Sequence, residues 1–237
     1  MNNFEVKSFS GPDPLARAAA RDWLDLLSQS ASAHLIAVSG GRIAKNFFSA
    51  VAELSKSSPA SLGNVEFFWA DERCVPPDHP DSNFLLAQQN LFQPLAIAPR
   101  RIHRLKGELD PSAAVAEANA DLTRLAPKNK AGLPVIDVIF LGLGEDGHVA
   151  SLMPNAPPAV LAATGPYLHI EKSPKPPPSR LSLSYAAIAA AGEVWMLASG
   201  SGKEEALRQS LNPGGTTPFA RVLQSRSQTR IYTDINV

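Results

Sequence analysis

The segment Ile136-Asp-Val-Ile-Phe-Leu-Gly-Leu-Gly-Glu-Asp-Gly-His148 joins an apolar run to a glycine-rich turn. The run 136–141 is short and apolar, which predicts a buried strand. The glycines that follow allow a sharp turn and leave little side chain in the way. This turn carries a carboxylate, Asp146, and an imidazole, His148. A strand that presents such a pair at its end is a common arrangement in the active sites of α/β enzymes.

Strand-like and helix-like segments alternate along the rest of the chain. Strands are predicted at 34–40, 65–70, 136–141, 167–171, 180–184, 193–198 and 230–234. Helices are predicted at 13–31, 43–54, 84–91, 111–125, 202–211 and 217–223. This alternation predicts an α/β fold with three layers, in which helices cover both faces of a largely parallel sheet. Because neither a repeat nor a linker interrupts the pattern, we predict one domain over residues 1–237.

Composition limits the classes of partner. The formal net charge is zero, so the totals predict neither nucleic acid nor an acidic membrane as a partner. The start MNNFEVKSF lacks the apolar core of a signal peptide, and no apolar run reaches the roughly 18 residues of a membrane helix. A single cysteine excludes an intrachain disulfide and favours the reducing cytoplasm. The totals leave open whether the protein is a monomer or a dimer.

The turn after residue 141 predicts proton-transfer chemistry. An unperturbed imidazole has a pKa near ~6.5, so His148 can take a proton from water at neutral pH. Asp146, two residues earlier, is close enough to orient the ring or to stabilise its positive charge. The alternative is a hydrogen-bonded structural histidine. Since the five histidines are scattered and show no ligand spacing, we predict no metal ion.

The same turn formally matches the dinucleotide-binding pattern G-x-G-x-x-G. That pattern requires a helix that opens at the third glycine and an acid about 20 residues further on. Prolines at 154, 157 and 158 prevent a long helix, and no acid occurs between Asp146 and Glu171. We therefore predict no dinucleotide and no other cofactor.

Two glycine-containing turns are candidates for binding an anion. Ser39-Gly40-Gly41 joins a strand to a helix, where free backbone N–H groups favour negative charge. Gly200-Ser-Gly202-Lys203 opens a later helix in the same manner. Cationic side chains stand near strand ends at Arg73, Lys175 and Arg180. The alternatives are an ordinary strand-to-helix turn and solvated surface charges.

Three segments together resemble the 6-phosphogluconolactonase family. They are Trp69-Ala-Asp-Glu-Arg-Cys-Val-Pro76 with Ser82-Asn83, Gly142-Leu-Gly-Glu-Asp-Gly-His-Val-Ala-Ser-Leu-Met-Pro154, and Ser173-Pro-Lys-Pro-Pro-Pro-Ser-Arg180. The resemblance runs in order from Ser39 to about Leu211. It implies a fold related to the sugar-phosphate isomerases and hydrolysis of 6-phospho-D-glucono-1,5-lactone in the pentose phosphate pathway.

The resemblance also implies roles for individual residues. His148 is then the general base, and Asp146 orients it. The implied substrate-binding set is Ser39, Gly40, Gly41, Arg73, Asn83, Gly144, Lys175 and Arg180. Within it, the phosphate is held by Arg73, Lys175 and Arg180 with the backbone at Gly40 and Gly41. Arg73 facing the oxyanion stays an alternative, and Asn83 either binds sugar hydroxyls or holds Arg73.

One departure from the family pattern leaves other functions open. The family usually reads Ser-Gly-Gly-Ser-Thr-Pro at the first turn, whereas here Ser39-Gly-Gly41 is followed by Arg42-Ile-Ala44. One competing reading is a glucosamine-6-phosphate isomerase/deaminase, which also has a Gly-x-Asp-Gly-His turn. The absence of an acid in 149–170 weakens it, although Asp71 or Glu72 can still serve as a base. The other is a sugar-phosphate-binding regulator without catalysis.

Overall fold

The computed structural model describes residues 4–30, 32–57 and 62–236. Within these ranges the strands are β1 Glu5–Ser8, β2 His34–Val38, β3 Val65–Trp69, β4 Asp71–Arg73, β5 Val138–Gly142, β6 Tyr167–Ile170, β7 Arg180–Leu183, β8 Glu193–Ala198 and β9 Arg230–Thr233. The helices are α1 Pro12–Ser28, α2 Arg42–Leu54, α3 Asn83–Ala87, α4 Pro111–Leu125, α5 Pro158–Leu161, α6 Tyr185–Ala190, α7 Glu204–Leu211 and α8 Pro218–Gln224. Residue 31, at the end of the predicted helix 13–31, lies outside the described residues, as do residues 1–3, 58–61 and 237 of the predicted domain.

The larger sheet has six parallel strands in the order β1-β9-β8-β5-β2-β3. Its central strands are buried at almost every position, on both sets of alternating side chains. A strand buried in this way must be covered on both faces, which the surrounding helices provide. The predicted fold class, a largely parallel sheet between helical layers, is therefore confirmed.

A smaller antiparallel sheet has the order β4-β7-β6 and was not predicted. The predicted strands 167–171 and 180–184 form two of its members instead of joining the parallel sheet. A parallel pair needs a long crossover, whereas these two strands are linked by a short proline-rich loop. The edge strand β1 was also not predicted, because it is mostly exposed and has no apolar pattern.

The strand order reverses between β2 and β5. From β2 the chain crosses to β3 on one side, and from β5 it proceeds to β8 on the other. Open α/β sheets bind ligands outside the carboxyl ends of their strands at such a reversal. The turns after Val38 and Gly142, which the sequence marked as candidates, begin at this point. Among the described residues, no helix is long and apolar enough to span a membrane.

Trp23 of α1 lies at the centre of an aromatic cluster beneath the sheet. Its side chain is fully buried, and its ring centroid is 5.5 Å from that of Phe140 and 5.9 Å from that of Phe47. We expect Trp23→Ala to lower the free energy of unfolding by about 3–5 kcal/mol, because it leaves a large cavity. Urea unfolding followed by circular dichroism measures this change. Leu109→Ala, at an exposed position, is the control, and equal effects of both substitutions would contradict the expectation.

Candidate active site

A cavity of about 370 Å³ opens where the strand order reverses. Its walls come from the turns that follow β2, β5 and β8 and from the segments at β4, α3 and β7. The polar and glycine residues that line it include Ser39, Gly40, Gly41, Arg42, Asp71, Arg73, Asn83, Gly144, His148, Arg180, Ser199, Gly200 and Lys203. Seven of the eight predicted substrate-binding residues are therefore brought together; the eighth, Lys175, contacts His148 and Asp146.

The predicted pair of acid and imidazole is formed. Nδ1 of His148 lies 2.5 Å from Oδ1 of Asp146, and the same oxygen accepts a longer bond of 3.3 Å from the backbone N–H of His148. Because Nδ1 is held by the carboxylate, Nε2 is the nitrogen left to exchange a proton at the cavity. The His148 side chain is 18% exposed, so the ring is neither packed away nor fully solvated.

Glycine is required at two positions for this arrangement. A Cβ at Gly144 would lie 1.9 Å from His148 Nδ1 and 2.7 Å from Asp146 Oδ1. A Cβ at Gly40 would lie 1.8 Å from Oδ1 of Asn83. Contacts this close exceed any normal packing, so a side chain at either glycine would displace the polar group beside it. The glycines thus allow His148, Asp146 and Asn83 to approach the backbone of the two turns.

The environment keeps His148 neutral and Asp146 ionised at neutral pH. Burial lowers the pKa of His148, and the charge of Lys175 lowers it further, while Asp146 acts in the opposite direction. Burial alone would raise the pKa of Asp146, but the hydrogen bond and charge of His148, together with Lys175, hold it below its ordinary value. The amino group of Lys175 lies 3.4 Å from both Asp146 Oδ1 and His148 Nδ1. A neutral imidazole beside a carboxylate and an ammonium group is suited to accept a proton.

The segment at β4 forms another wall of the cavity. Nη1 of Arg73 donates to the carbonyl oxygen of Asp81 at 2.7 Å, and Nδ2 of Asn83 donates to the carbonyl oxygen of Asp71 at 2.8 Å. The Asp71 carboxylate accepts a bond of 2.7 Å from the hydroxyl of Ser151, which follows the His148 turn. This buried contact fixes the β4 segment relative to the turn that carries Asp146 and His148.

Arg180 supports the loop that carries Lys175. Its Nε donates to the carbonyl oxygen of Pro177, and its Nη2 donates to those of Lys175 and Pro176, at 3.0–3.1 Å. The residue is 4% exposed, and burial lowers its pKa. Three of the five guanidinium N–H groups are therefore engaged with the backbone, while the side chain still lines the cavity.

Three charged cavity residues were outside the predicted site: Arg42, Asp71 and Lys203. Burial lowers the pKa of Lys203, and the neighbouring charge of Arg42 lowers it further. The charges of Glu145 and Asp234 act in the opposite direction, but the pKa remains below its ordinary value. Within the described ranges, neither the Arg42 nor the Lys203 side chain forms an ion pair or a hydrogen bond. Two adjacent cations without a paired acid favour a bound anion. Lys203 belonged to a turn marked as an anion candidate, and Arg42 to a departure from the family pattern, but neither feature revealed their proximity.

The part of the chain that the structure describes contains no group of three or more His, Cys, Asp or Glu side chains arranged to hold a metal ion. Cys74 is half-buried, and burial raises the pKa of its thiol, which makes the thiolate less available.

Known proteins resemble this chain in sequence and in fold. A model of the family described as glucosamine-6-phosphate isomerases/6-phosphogluconolactonase matches residues 10–231. The 6-phosphogluconolactonase of Streptomyces coelicolor is 36% identical over 186 residues, which cover 76% of this chain and 71% of that protein. The structure of 6-phosphogluconolactonase from Trypanosoma brucei is similar with a TM-score of 0.82 and 26% identity, over 98% of this chain and 97% of that one. A monomeric glucosamine-6-phosphate deaminase, 19% identical with a TM-score of 0.81 over 97% and 96% of the two chains, is similar in fold alone.

The opposing influences on His148 give a measurable prediction. We expect the pKa of His148 to lie below its ordinary value of 6.5 in the wild type and to fall further in Asp146→Asn. The substitution removes the group that raises the pKa and leaves burial and Lys175, which lower it. Lys175→Ala should change the pKa in the opposite direction. Titration of the imidazole resonances by NMR measures the shifts, with His34 as internal control. A rise of the His148 pKa in Asp146→Asn would contradict the arrangement.

Proposed function

The chain belongs to the glucosamine-6-phosphate isomerase/6-phosphogluconolactonase family, and from this premise we propose that it hydrolyses 6-phospho-D-glucono-1,5-lactone to 6-phospho-D-gluconate in the pentose phosphate pathway. It is an enzyme, a carboxylic ester hydrolase that acts on a sugar-phosphate lactone. One observation carries the proposal: the His148–Asp146 pair faces a cavity whose wall holds several unpaired or partly paired cations. A pocket that binds a phosphorylated sugar without catalysis would need the cations but not the pair of imidazole and carboxylate.

In the proposed reaction, Nε2 of His148 takes a proton from a water molecule while the water oxygen attacks the carbonyl carbon of the lactone. The carbonyl oxygen becomes an oxyanion in the tetrahedral intermediate. The bond between this carbon and the ring oxygen then breaks, and the ring oxygen receives the proton from His148. Asp146 orients the ring and stabilises the imidazolium that forms between the two steps. No covalent nucleophile is needed, because an ester is opened readily by an activated water.

We assign Lys175 to the reacting end of the substrate. Its amino group lies 3.4 Å from His148 Nδ1, so its charge acts on the base and on any anion that forms beside it. The resemblance to the family implies that Lys175 binds the phosphate. Its contact with the catalytic pair supports a role in stabilising the oxyanion instead, with Arg73 as the other candidate for that role.

We assign the phosphate to the start of α2. Gly41 precedes this helix, and no side chain caps its first N–H groups, so they are available to an anion. The Ser39 hydroxyl donates to the carbonyl oxygen of Phe140 at 2.8 Å and thereby holds the turn against β5. Arg42 and Lys203 add two positive charges, and a phosphate dianion between them would offset their mutual repulsion. Arg73, Asn83 and Arg180 complete the substrate-binding set on the same cavity.

We propose that residues 1–237 act as one domain, and a single buried cluster that includes residues from Leu15 to Ile235 supports this. Hydrolysis by an activated water requires neither a metal ion nor an organic cofactor. We propose a cytoplasmic location on the basis of the single cysteine, and a small sugar-phosphate lactone, not nucleic acid or membrane, as the partner.

His148→Ala tests the proposed base. We expect kcat for lactone hydrolysis to fall by roughly 10²–10⁴, the usual contribution of a positioned base. The assay couples product formation to the oxidation of 6-phosphogluconate, and the spontaneous hydrolysis of the lactone is subtracted. His34→Ala is the matched control, because His34 lies at the amino end of β2, away from the cavity. Full turnover by His148→Ala would remove this residue from the mechanism.

The competing deaminase reaction is checked with the same preparations. Asp71 lines the cavity, but its carboxylate is engaged by Ser151 and by Asn83. We therefore expect no ammonia from glucosamine 6-phosphate under conditions that hydrolyse the lactone. Release of ammonia at a comparable rate would favour the deaminase reading.

Removal of the cations at the start of α2 tests the phosphate assignment. We expect Arg42→Ala and Lys203→Ala each to raise KM by about tenfold or more with little change in kcat, because each removes a charged partner of the phosphate. Lys45→Ala removes an exposed charge from the next turn of the same helix and should leave KM unchanged. If KM is unchanged in both variants but rises in Arg73→Ala, the phosphate is bound at Arg73 instead.

A further inference from the structure

Glu72 is a buried carboxylate that the mechanism does not use. It is the middle residue of β4, between Asp71 and Arg73, and is 3% exposed. Its Oε1 accepts hydrogen bonds of 2.8 Å from the backbone N–H groups of both Arg73 and Asn83. Its Oε2 accepts one of 2.7 Å from the backbone N–H of Phe84 and one of 3.2 Å from the Ser82 hydroxyl. All four donors thus converge on a single side chain.

These bonds close a loop that carries cavity residues at both ends. The chain leaves β4 at Arg73 and returns at Ser82, the N-cap of α3, whose first N–H groups bind Glu72. Arg73 and Asn83 both line the cavity. The carboxylate therefore fixes the backbone of two proposed substrate-binding residues that are ten positions apart in sequence. A backbone donor gains most from an ionised acceptor, so the bonds are strongest when Glu72 is charged.

Within the described ranges, no lysine, arginine or histidine forms an ion pair with Glu72. Burial raises its pKa to about 7, the three backbone donors oppose this, and the charge of Asp71 adds to it. The other charged or titratable groups on the neighbouring segments are Arg73, Cys74, Asp78, His79, Asp81 and, across the β4–β7 pair, Arg180. Helix α3 contributes none. A pKa of about 7 places the ionisation of Glu72 close to neutral pH.

We propose that Glu72 is a positioning residue whose ionised carboxylate holds Arg73 and Asn83 on the cavity wall, so that its protonation weakens substrate binding. This inference rests on the proposed function for the identity of the substrate. Protonation removes acceptor capacity at one oxygen, and buried N–H groups are then left unpaired or rearrange. The wall that carries Arg73 and Asn83 loosens as a result, while the hydrogen bond between His148 and Asp146, which does not involve Glu72, is kept.

The loss of binding is distinct from unfolding. The folded pKa of Glu72, about 7, lies above its ordinary value of 4.5, so between these values the folded state binds the proton more tightly than the unfolded state. This group therefore adds stability as pH falls from 7 towards 4.5. At pH 6 the protein should remain folded with its cavity wall altered.

Two measurements on the full chain test the inference. First, the backbone amide resonances of Arg73, Asn83 and Phe84 are followed by NMR from about pH 5.5 to 8.5. We expect them to titrate together with a midpoint near 7 in the wild type and not in Glu72→Gln. The wild type alone, without substrate, is enough to show whether these amides titrate. Amide resonances that stay constant in the wild type would overturn the proposal.

Second, the dissociation constant of the product, 6-phosphogluconate, is measured by calorimetry at pH 6 and pH 8. We expect the dissociation constant at pH 6, divided by that at pH 8, to be about tenfold larger in the wild type than in Glu72→Gln. The variant should bind the product weakly at both pH values. The ligand's own phosphate titration is common to both proteins and cancels in the comparison. Glu53→Gln, at an exposed position on α2, should behave as the wild type.

The outcomes separate this inference from the proposed function. If the wild type does not hydrolyse the lactone but the three amides titrate as described, the proposed function fails and the positioning role stands. If hydrolysis occurs and Glu72→Gln binds the product with the wild-type affinity and pH dependence, the positioning role is wrong. Glu72→Asp, which keeps the charge but shortens the reach, should restore the titration of the Arg73 amide more than that of Phe84. Equal behaviour of Glu72→Asp and Glu72→Gln would contradict the need for an ionised acceptor.

Discussion

The contact between the Asp146 carboxylate and the His148 imidazole is the interaction on which the proposed chemistry depends. Two residues apart in sequence, these groups meet only because the chain reverses within a turn that has no side chain at residue 144. The hydrogen bond fixes which ring nitrogen faces the cavity. Burial and Lys175 then keep the ring neutral, while the acid stays ionised. Orientation, tautomer and protonation state thus all follow from one turn at the end of β5.

The rest of the cavity supplies positive charge and holds it in place. Its cationic side chains differ in how many hydrogen bonds they form with the protein. Arg180 donates three hydrogen bonds to backbone carbonyl groups of the neighbouring loop. Within the described ranges, the Arg42 and Lys203 side chains have no hydrogen-bond partner in the protein. Free cations attract a ligand, and engaged cations shape the wall that surrounds it. A division of this kind explains how one cavity can be both strongly positive and well ordered.

Much of the fold could be predicted from the sequence because its parallel strands are short, apolar and separated by helices. The contact between Asp146 and His148 followed from a motif that is local in sequence. What could not be predicted lies in contacts between distant segments. The pairing of Asp71–Arg73 with Arg180–Leu183, and the approach of Lys203 to Arg42, depend on tertiary structure that no local pattern records. The second sheet escaped prediction because an antiparallel pair and a parallel pair have similar alternating patterns over four residues.

The order of the strands has a consequence for how the cavity is assembled. Between Ser39 and Lys203, six stretches contribute to its walls, and each is attached to a different strand or helix end. β2 and β5, which carry the two central turns, are neighbours in space although about a hundred residues separate them. Contacts of such long range form late, after much chain entropy has been lost. A nascent chain must therefore be synthesised beyond Lys203 before the pocket exists, and partly folded species should lack the enclosed site altogether.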